Sequence, residues 1–243
     1  MTEKLSIEEA RLVADNLARV RTAIADACAV SGRKEDEVTL MAVTKTVSAE
    51  KINAAIAAGV TDIGENRVQE YLQKREALLL DGVRTHLIGH LQTNKVEKII
   101  GTVDMIQSVD SVRLARALDA AAAKKGIVCD VLVEVNAGGE ETKSGVSPSE
   151  AIDFVENLCE FSALRVRGLM TVPPISDTEY EKRRYFSILR KLFVDIRDKK
   201  SDNRSMDILS MGMSADFREA ILEGATMVRV GSAIFGQRQY NTI

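Results

Sequence analysis

No run of apolar residues in this chain approaches the ~20 needed to span a bilayer. Cysteine is scarce. Cys28, Cys129 and Cys159 are an odd number without a CxxC spacing, which argues against a disulfide framework and a structural zinc site. Histidine is scarcer still: His86 and His90 are the only two, with no HExxH and no neighbouring cysteine, so no metal centre is expected. An excess of one charge is missing too. Lys and Arg number 33 against 36 Asp and Glu, a net charge of −3, which offers no field for a polyanion such as nucleic acid. The start, "MTEKLSIEEARL", is acidic and amphipathic and lacks the basic-then-apolar order of a secretory signal. These absences predict a cytoplasmic protein with neither a membrane nor a nucleic-acid partner.

What is present is an ordinary globular balance, 45% hydrophobic and 28% charged residues in 243. "SIEE" (Ser6 to Glu9) is a capping box, and Val13, Leu17, Val20, Ile24 and Ala27 follow at helical spacing until Gly32, predicting an N-terminal helix over about 6–31. Eight strand-like runs then alternate with helical patterns, at 38–45, 61–65, 85–89, 104–109, 129–136, 164–172, 206–213 and 227–232. One helix is expected to bury Tyr185, Ile188, Leu192 and Ile196. Another is expected to start in "SPSE" with Ser147 as N-cap and Pro148 at the first helical position. The strands are nearly continuous in apolar residues, as strands covered on both faces should be. No Pro-rich linker, low-complexity segment or composition shift marks a second domain. The pattern predicts a single (β/α)8 barrel over about 38–236 with the extra N-terminal helix in front; a doubly wound open sheet is the alternative.

Chemistry in such a barrel sits at the C-terminal ends of the strands. Lys45 ends an apolar run there, in "LMAVTK", where a lysine is either a snorkelling side chain or an amine tuned by its surroundings. "GENR" places Asn66 at the end of strand two, as a helix cap or a ligand contact. "HLIGH" places His86 near strand three as a core or pocket-wall residue. "SMGMS" brings Ser210, Met211, Met213 and Ser214 to the end of strand seven, and "VRVGS" brings Arg229, Gly231 and Ser232 to strand eight. The loops after strands seven and eight form the recurrent phosphate site of these barrels. Ser214 is expected there as a hydroxyl donor and as N-cap of the following helix, with Gly231 allowing close backbone approach and Ser232 adding a hydroxyl. Arg229 is either ion-paired to a carboxylate such as Glu134 or Asp207, or held for a ligand. A lysine amine, a phosphate site and a third anchor together describe a pocket for pyridoxal phosphate.

The segments "AVTKT", "IGENRVQE", "HLIGHLQTNK", "VNAGGEETKSGV", "VRGLMTVPP", "SMGMSADFREAI" and "VRVGSAIFG", in this order, resemble the pyridoxal phosphate homeostasis proteins, related to the N-terminal barrel of alanine racemase. The resemblance runs from about Val38 to Gly236. It implies a barrel that holds pyridoxal 5'-phosphate as a Schiff base on Lys45. Ser214, Gly231 and Ser232 would contact the phosphate, Arg229 would face the pyridine nitrogen, and Asn66 would lie beside the cofactor. Met211 and Met213, with His86, would shape the wall, and Ser210 would belong to the same site. It also implies a monomeric, non-catalytic carrier in vitamin B6 homeostasis, exchanging cofactor with apo-enzymes. The alternative is a small pyridoxal-phosphate-dependent amino acid racemase. Such a racemase resembles a two-domain dimer, and a chain stopping at Ile243 is expected to leave no room for its second domain.

Overall fold

Ser6 begins the chain's first helix through reciprocal bonds: its hydroxyl accepts from the Glu9 N–H, and the Glu9 carboxylate accepts from the Ser6 N–H. In the computed structural model, which describes residues 5–140, 142–174, 178–199 and 204–237, the resulting helix α1 spans Ile7–Val30. Its expected stripe, Val13, Leu17, Val20, Ile24 and Ala27, is buried. Glu141 of the "VNAGGEETKSGV" motif lies outside the described residues.

Eight strands follow: β1 (Thr39–Val43), β2 (Asp62–Glu65), β3 (Arg84–Leu87), β4 (Met105–Val109), β5 (Cys129–Glu134), β6 (Leu164–Met170), β7 (Arg204–Ser210) and β8 (Met227–Val230). They pair in parallel, in chain order, and close into a barrel when β8 pairs with β1, Met41 opposite Arg229. The open sheet is thereby excluded. Between and after the strands run α2 (Ala49–Ala57), α3 (Val68–Lys74), α4 (Val96–Ile99), α5 (Val112–Lys124), α6 (Ala151–Leu158), α7 (Glu179–Arg197), α8 (Phe217–Leu222) and α9 (Ser232–Phe235). Gly59 and Gly224, each between a helix and a strand, take φ of +93° and +94°, the left-handed turn that lets the chain reverse into the next strand.

Two apolar layers result from the period-2 alternation of strand side chains. Ala42, Ile106, Val131, Leu169, Leu209 and Val228 face outward and pack with the helices. Met41, Met105, Leu132, Met170, Ile208 and Met227 form a separate cluster inside the barrel. Among the described residues no helix is long and apolar enough to cross a membrane.

Two local expectations need correction. The buried stripe of α7 is Phe186, Leu189, Phe193 and Ile196, one residue away from the expected Tyr185, Ile188 and Leu192, which stay half-buried at its edge. The two phenylalanines carry the greater apolar area and take the centre of the interface. In "SPSE" the helix starts later, at Ala151. Ser147 still donates to the Glu150 carboxylate (2.5 Å), but within a turn that precedes α6.

Candidate cofactor site at the barrel mouth

Lys45 stands two residues beyond β1 rather than within it, half-buried in a turn. The next residue, Thr46, takes φ +62°, a left-handed conformation unfavourable for a β-branched side chain and found where surroundings over-determine the backbone. The surroundings here are polar, and reach from the exposed Thr46 to the buried Thr44 and Glu65. The Thr46 N–H donates to Glu70 Oε1 (2.5 Å), and Thr44 Oγ1 donates to the Gly64 carbonyl (3.2 Å) and to Glu65. Lys74, at the end of α3, reaches into the same knot. Its Nζ meets Glu65 Oε1 at 2.5 Å, Glu70 Oε1 at 3.1 Å and the Thr44 carbonyl at 2.8 Å. Burial raises the pKa of Glu65, against the pull of Lys74. This anchor of Glu65, Glu70 and Lys74 fixes the turn that presents Lys45, and sequence reading missed it. A lysine at i+4 from a glutamate on a helix face is too common a pattern to single out.

Asn66 follows β2, the neighbour of β1. Its Oδ1 is buried and has no hydrogen-bond partner among the described residues. Buried acceptors are rarely left so. The Asn66 backbone is held by Gly89 of "HLIGH": a Cβ at Gly89 would lie 2.2 Å from the Asn66 carbonyl oxygen, so only glycine permits this approach.

On the other side of β1, Arg229 of β8 is 3% exposed. Burial lowers its pKa to about 10, although Glu134 and Asp216 pull it upward. Neither expected ion pair forms. Asp207 is taken by Arg167, and Arg229 donates instead to neutral acceptors, Nη1 to Ser210 Oγ (2.7 Å) and Nη2 to the Thr171 carbonyl (2.6 Å). Two of its five side-chain N–H groups are so engaged, and its charge meets no carboxylate at ion-pair distance among the described residues.

Ser214 does not cap α8. That helix begins after Asp216, whose carboxylate already accepts from the Met213 N–H (2.6 Å). The Ser214 hydroxyl instead receives the N–H groups of Gly231 (3.2 Å) and Ala233 (3.4 Å) at the start of α9. Ser232 is the first residue of α9 and is exposed. Gly231 abuts β1: a Cβ there would lie 3.3 Å from the Val43 Cβ. Donors thus converge at α9, because a carboxylate occupies the start of α8.

Three expected site residues are placed elsewhere. Met211 is fully buried and packs in the outer cluster with Val228 and Val230, so it supports the mouth from behind, while Met213 is half-buried. Ser210 lies beneath Arg229 with its hydroxyl committed to protein partners. His86 is 2% exposed inside the barrel, its Nε2 at 3.0 Å from Asp62 Oδ1 and its Nδ1 at 3.2 Å from Gln107 Nε2. Both of its ring nitrogens are engaged by protein partners within the barrel core. Gln107, in the middle of "DMIQSV", was missed, although a polar side chain in step with the inward Met105 was a visible signal.

Four consecutive strand ends of the closed barrel, β7–β8–β1–β2, therefore carry Ser214, Arg229 with Gly231, Lys45 and Asn66. Residues 15–239 match the family model described as alanine racemase, N-terminal domain. The chain is also 44% identical over 226 residues to the pyridoxal phosphate homeostasis protein of Aquifex aeolicus, covering 93% of this chain and 98% of that relative. The chain belongs to the pyridoxal phosphate homeostasis protein family. The solved structure of PipY from Synechococcus elongatus with PLP bound superposes with a TM-score of 0.79 at 32% identity, covering 92% of this chain and all of that one. An alanine racemase from Clostridium difficile shares the fold alone. Its TM-score is 0.75 at 16% identity, and the match covers 94% of this chain and 58% of that protein.

Proposed function

We propose that this chain binds pyridoxal 5'-phosphate in the cytoplasm and serves vitamin B6 homeostasis, holding the cofactor for delivery to apo-enzymes rather than using it for rapid amino acid chemistry. One observation carries the reading. A buried arginine on β8, without a carboxylate at ion-pair distance among the described residues, and a half-buried lysine in the turn just beyond the adjacent β1 stand together at the barrel mouth. The residues fit the group. Lys45 supplies an amine for the aldehyde. Ser214 and Ser232 supply hydroxyl donors for the phosphate beside Gly231, whose own N–H rests on Ser214 Oγ. The orphaned Asn66 Oδ1 offers an acceptor to a ring substituent, and Arg229 keeps N–H groups for the ring nitrogen. The relative named for pyridoxal phosphate homeostasis and the PLP-bound PipY structure support the same ligand.

Pyridoxal phosphate supplies an electrophilic aldehyde and an aromatic electron sink. Arg229 tempers the second. A guanidinium only donates, so it keeps the ring nitrogen unprotonated and accepting, which weakens carbanion stabilisation. The protein is expected to turn yellow on loading, with a link that borohydride reduces onto Lys45. Lys45→Ala should lose both the visible band and the link, and a covalent adduct on another lysine would sink the assignment. L-to-D conversion of alanine and release of cofactor to an apo-enzyme should be followed together. Turnover near ~10 per second, the median for enzymes, would reject the carrier reading in favour of a racemase.

A further inference from the structure

A chain of buried polar side chains runs down the barrel beneath Arg229. Arg229 Nη1 donates to Ser210 Oγ at 2.7 Å, and Ser210 Oγ donates to Gln107 Oε1 at 2.8 Å. Gln107 Nε2 lies 3.2 Å from His86 Nδ1, and His86 Nε2 lies 3.0 Å from Asp62 Oδ1. Asp62 pairs with Arg84, whose side chain is 57% exposed at the opposite end of the barrel. Ser210, Gln107, His86 and Asp62 are each no more than 2% exposed, and the cluster around them is apolar: Met41, Met105, Leu132, Met170, Ile208 and Met227. Apolar side chains of the same volume would fill this space without the cost of desolvating polar groups.

We propose that Gln107 is a positioning residue, which sets the direction of this relay and so holds Arg229 toward the cofactor ring; the inference rests on the function proposed above. The direction follows from donor chemistry. Arginine can only donate, so the Ser210 oxygen accepts, and its own proton turns to Gln107 Oε1. The Gln107 amide nitrogen then faces His86 Nδ1 and also Met227 Sδ (3.2 Å), both acceptors. His86 therefore carries its proton on Nε2 and donates to Asp62. Turning the amide over would set its oxygen against the Nδ1 lone pair and lose the Met227 contact. It would also present N–H to Ser210 and free the serine proton to face Arg229. A single amide orientation at Gln107 thus keeps an acceptor under the guanidinium.

The imidazole nitrogens can be read directly by 15N NMR, since the chain has two histidines and His90→Ala assigns the other. In the cofactor-free wild type, His86 should show a protonated Nε2 and an unprotonated Nδ1; a proton on Nδ1 would overturn the relay. Gln107→Glu, with acceptors on both sides, should place protons on both His86 nitrogens. Gln107→Met should leave Nδ1 without a donor. In the loaded protein both variants should shift the absorption maximum and loosen pyridoxal phosphate about tenfold, the factor for about 1.4 kcal/mol, while the reducible link to Lys45 stays. An unchanged maximum and unchanged retention in folded variants would reject the positioning role. If the Met variant does not fold, the isosteric Glu variant decides. Failure of the wild type to take up pyridoxal phosphate would sink the cofactor reading instead, and the His86 measurement tells the two failures apart.

Discussion

Glu134 stands at the mouth end of β5, two residues beyond the inward Leu132, and makes no ion pair among the described residues. Burial, and then the neighbouring Asp110 carboxylate, push its pKa up to about 7 against the attraction of Arg229. The sign of the consequence follows. The unfolded chain ionises this acid near its ordinary value while the folded protein keeps it protonated, so the fold gains below that value and loses as pH rises to about 7. Glu134→Gln should remove this loss. In urea unfolding of the cofactor-free protein, the variant should exceed wild type at pH 8 by about 3 kcal/mol and match it near pH 4.5; equal differences at both pH values would show Glu134 already ionised in the fold. At the phosphate end, each charge-assisted hydrogen bond is worth ~1.5–3 kcal/mol. Ser214→Ala combined with Ser232→Ala should therefore weaken pyridoxal phosphate far more than unphosphorylated pyridoxal. Equal losses by spectroscopic titration would place the phosphate elsewhere.

At the scale of elements, α1 is more than an appendage. Its stripe packs against α8 and α9, and Asn16 Nδ2 donates to the Ile234 carbonyl of α9 (2.9 Å). The four-residue α9, which carries Ser232, is too short to persist alone and depends on that support. Leu17 lies at the centre of the stripe, 1% exposed. Leu17→Ala should lower the unfolding free energy by ~2–5 kcal/mol, the range for a buried leucine. A loss below ~1 kcal/mol in a urea titration would mean that α1 folds apart from the barrel.

The whole molecule depends on closing eight strands with the right stagger. The registers of β5–β6 and β6–β7 shift around residues 166–168, and Gly168 sits at the shift with φ +153°. A Cβ there would lie 1.7 Å from the Ile208 carbonyl oxygen, a backbone atom that cannot turn aside. Gly168→Ala should therefore cost more than ~4 kcal/mol or abolish soluble expression. A variant melting at the wild-type temperature would show that the stagger is set elsewhere. Closure also builds the site, because it brings Arg229 of β8 beside the strand that leads to Lys45, from opposite ends of the chain.

Local chemistry determined what could be read without coordinates. Strand and helix periods, the Ser6 capping box and the apolar runs follow from neighbours in sequence, so the barrel, its eight strands and α1 were legible. So was the set of polar residues at strand ends, from Lys45 to Ser232. Decisions between long-range alternatives were not. Arg229 could have met Glu134 or Asp207, but the register of β6 and β7 gives Asp207 to Arg167 and leaves Arg229 with Ser210 and Thr171. His86 and Gln107 are 21 residues apart and meet only inside the closed barrel. The same holds for Lys74 beneath the Lys45 turn. A sequence sets which side chains can donate, accept or carry charge; which partner each one finds is fixed by strand register and closure, because a hydrogen bond needs its two atoms within ~3 Å.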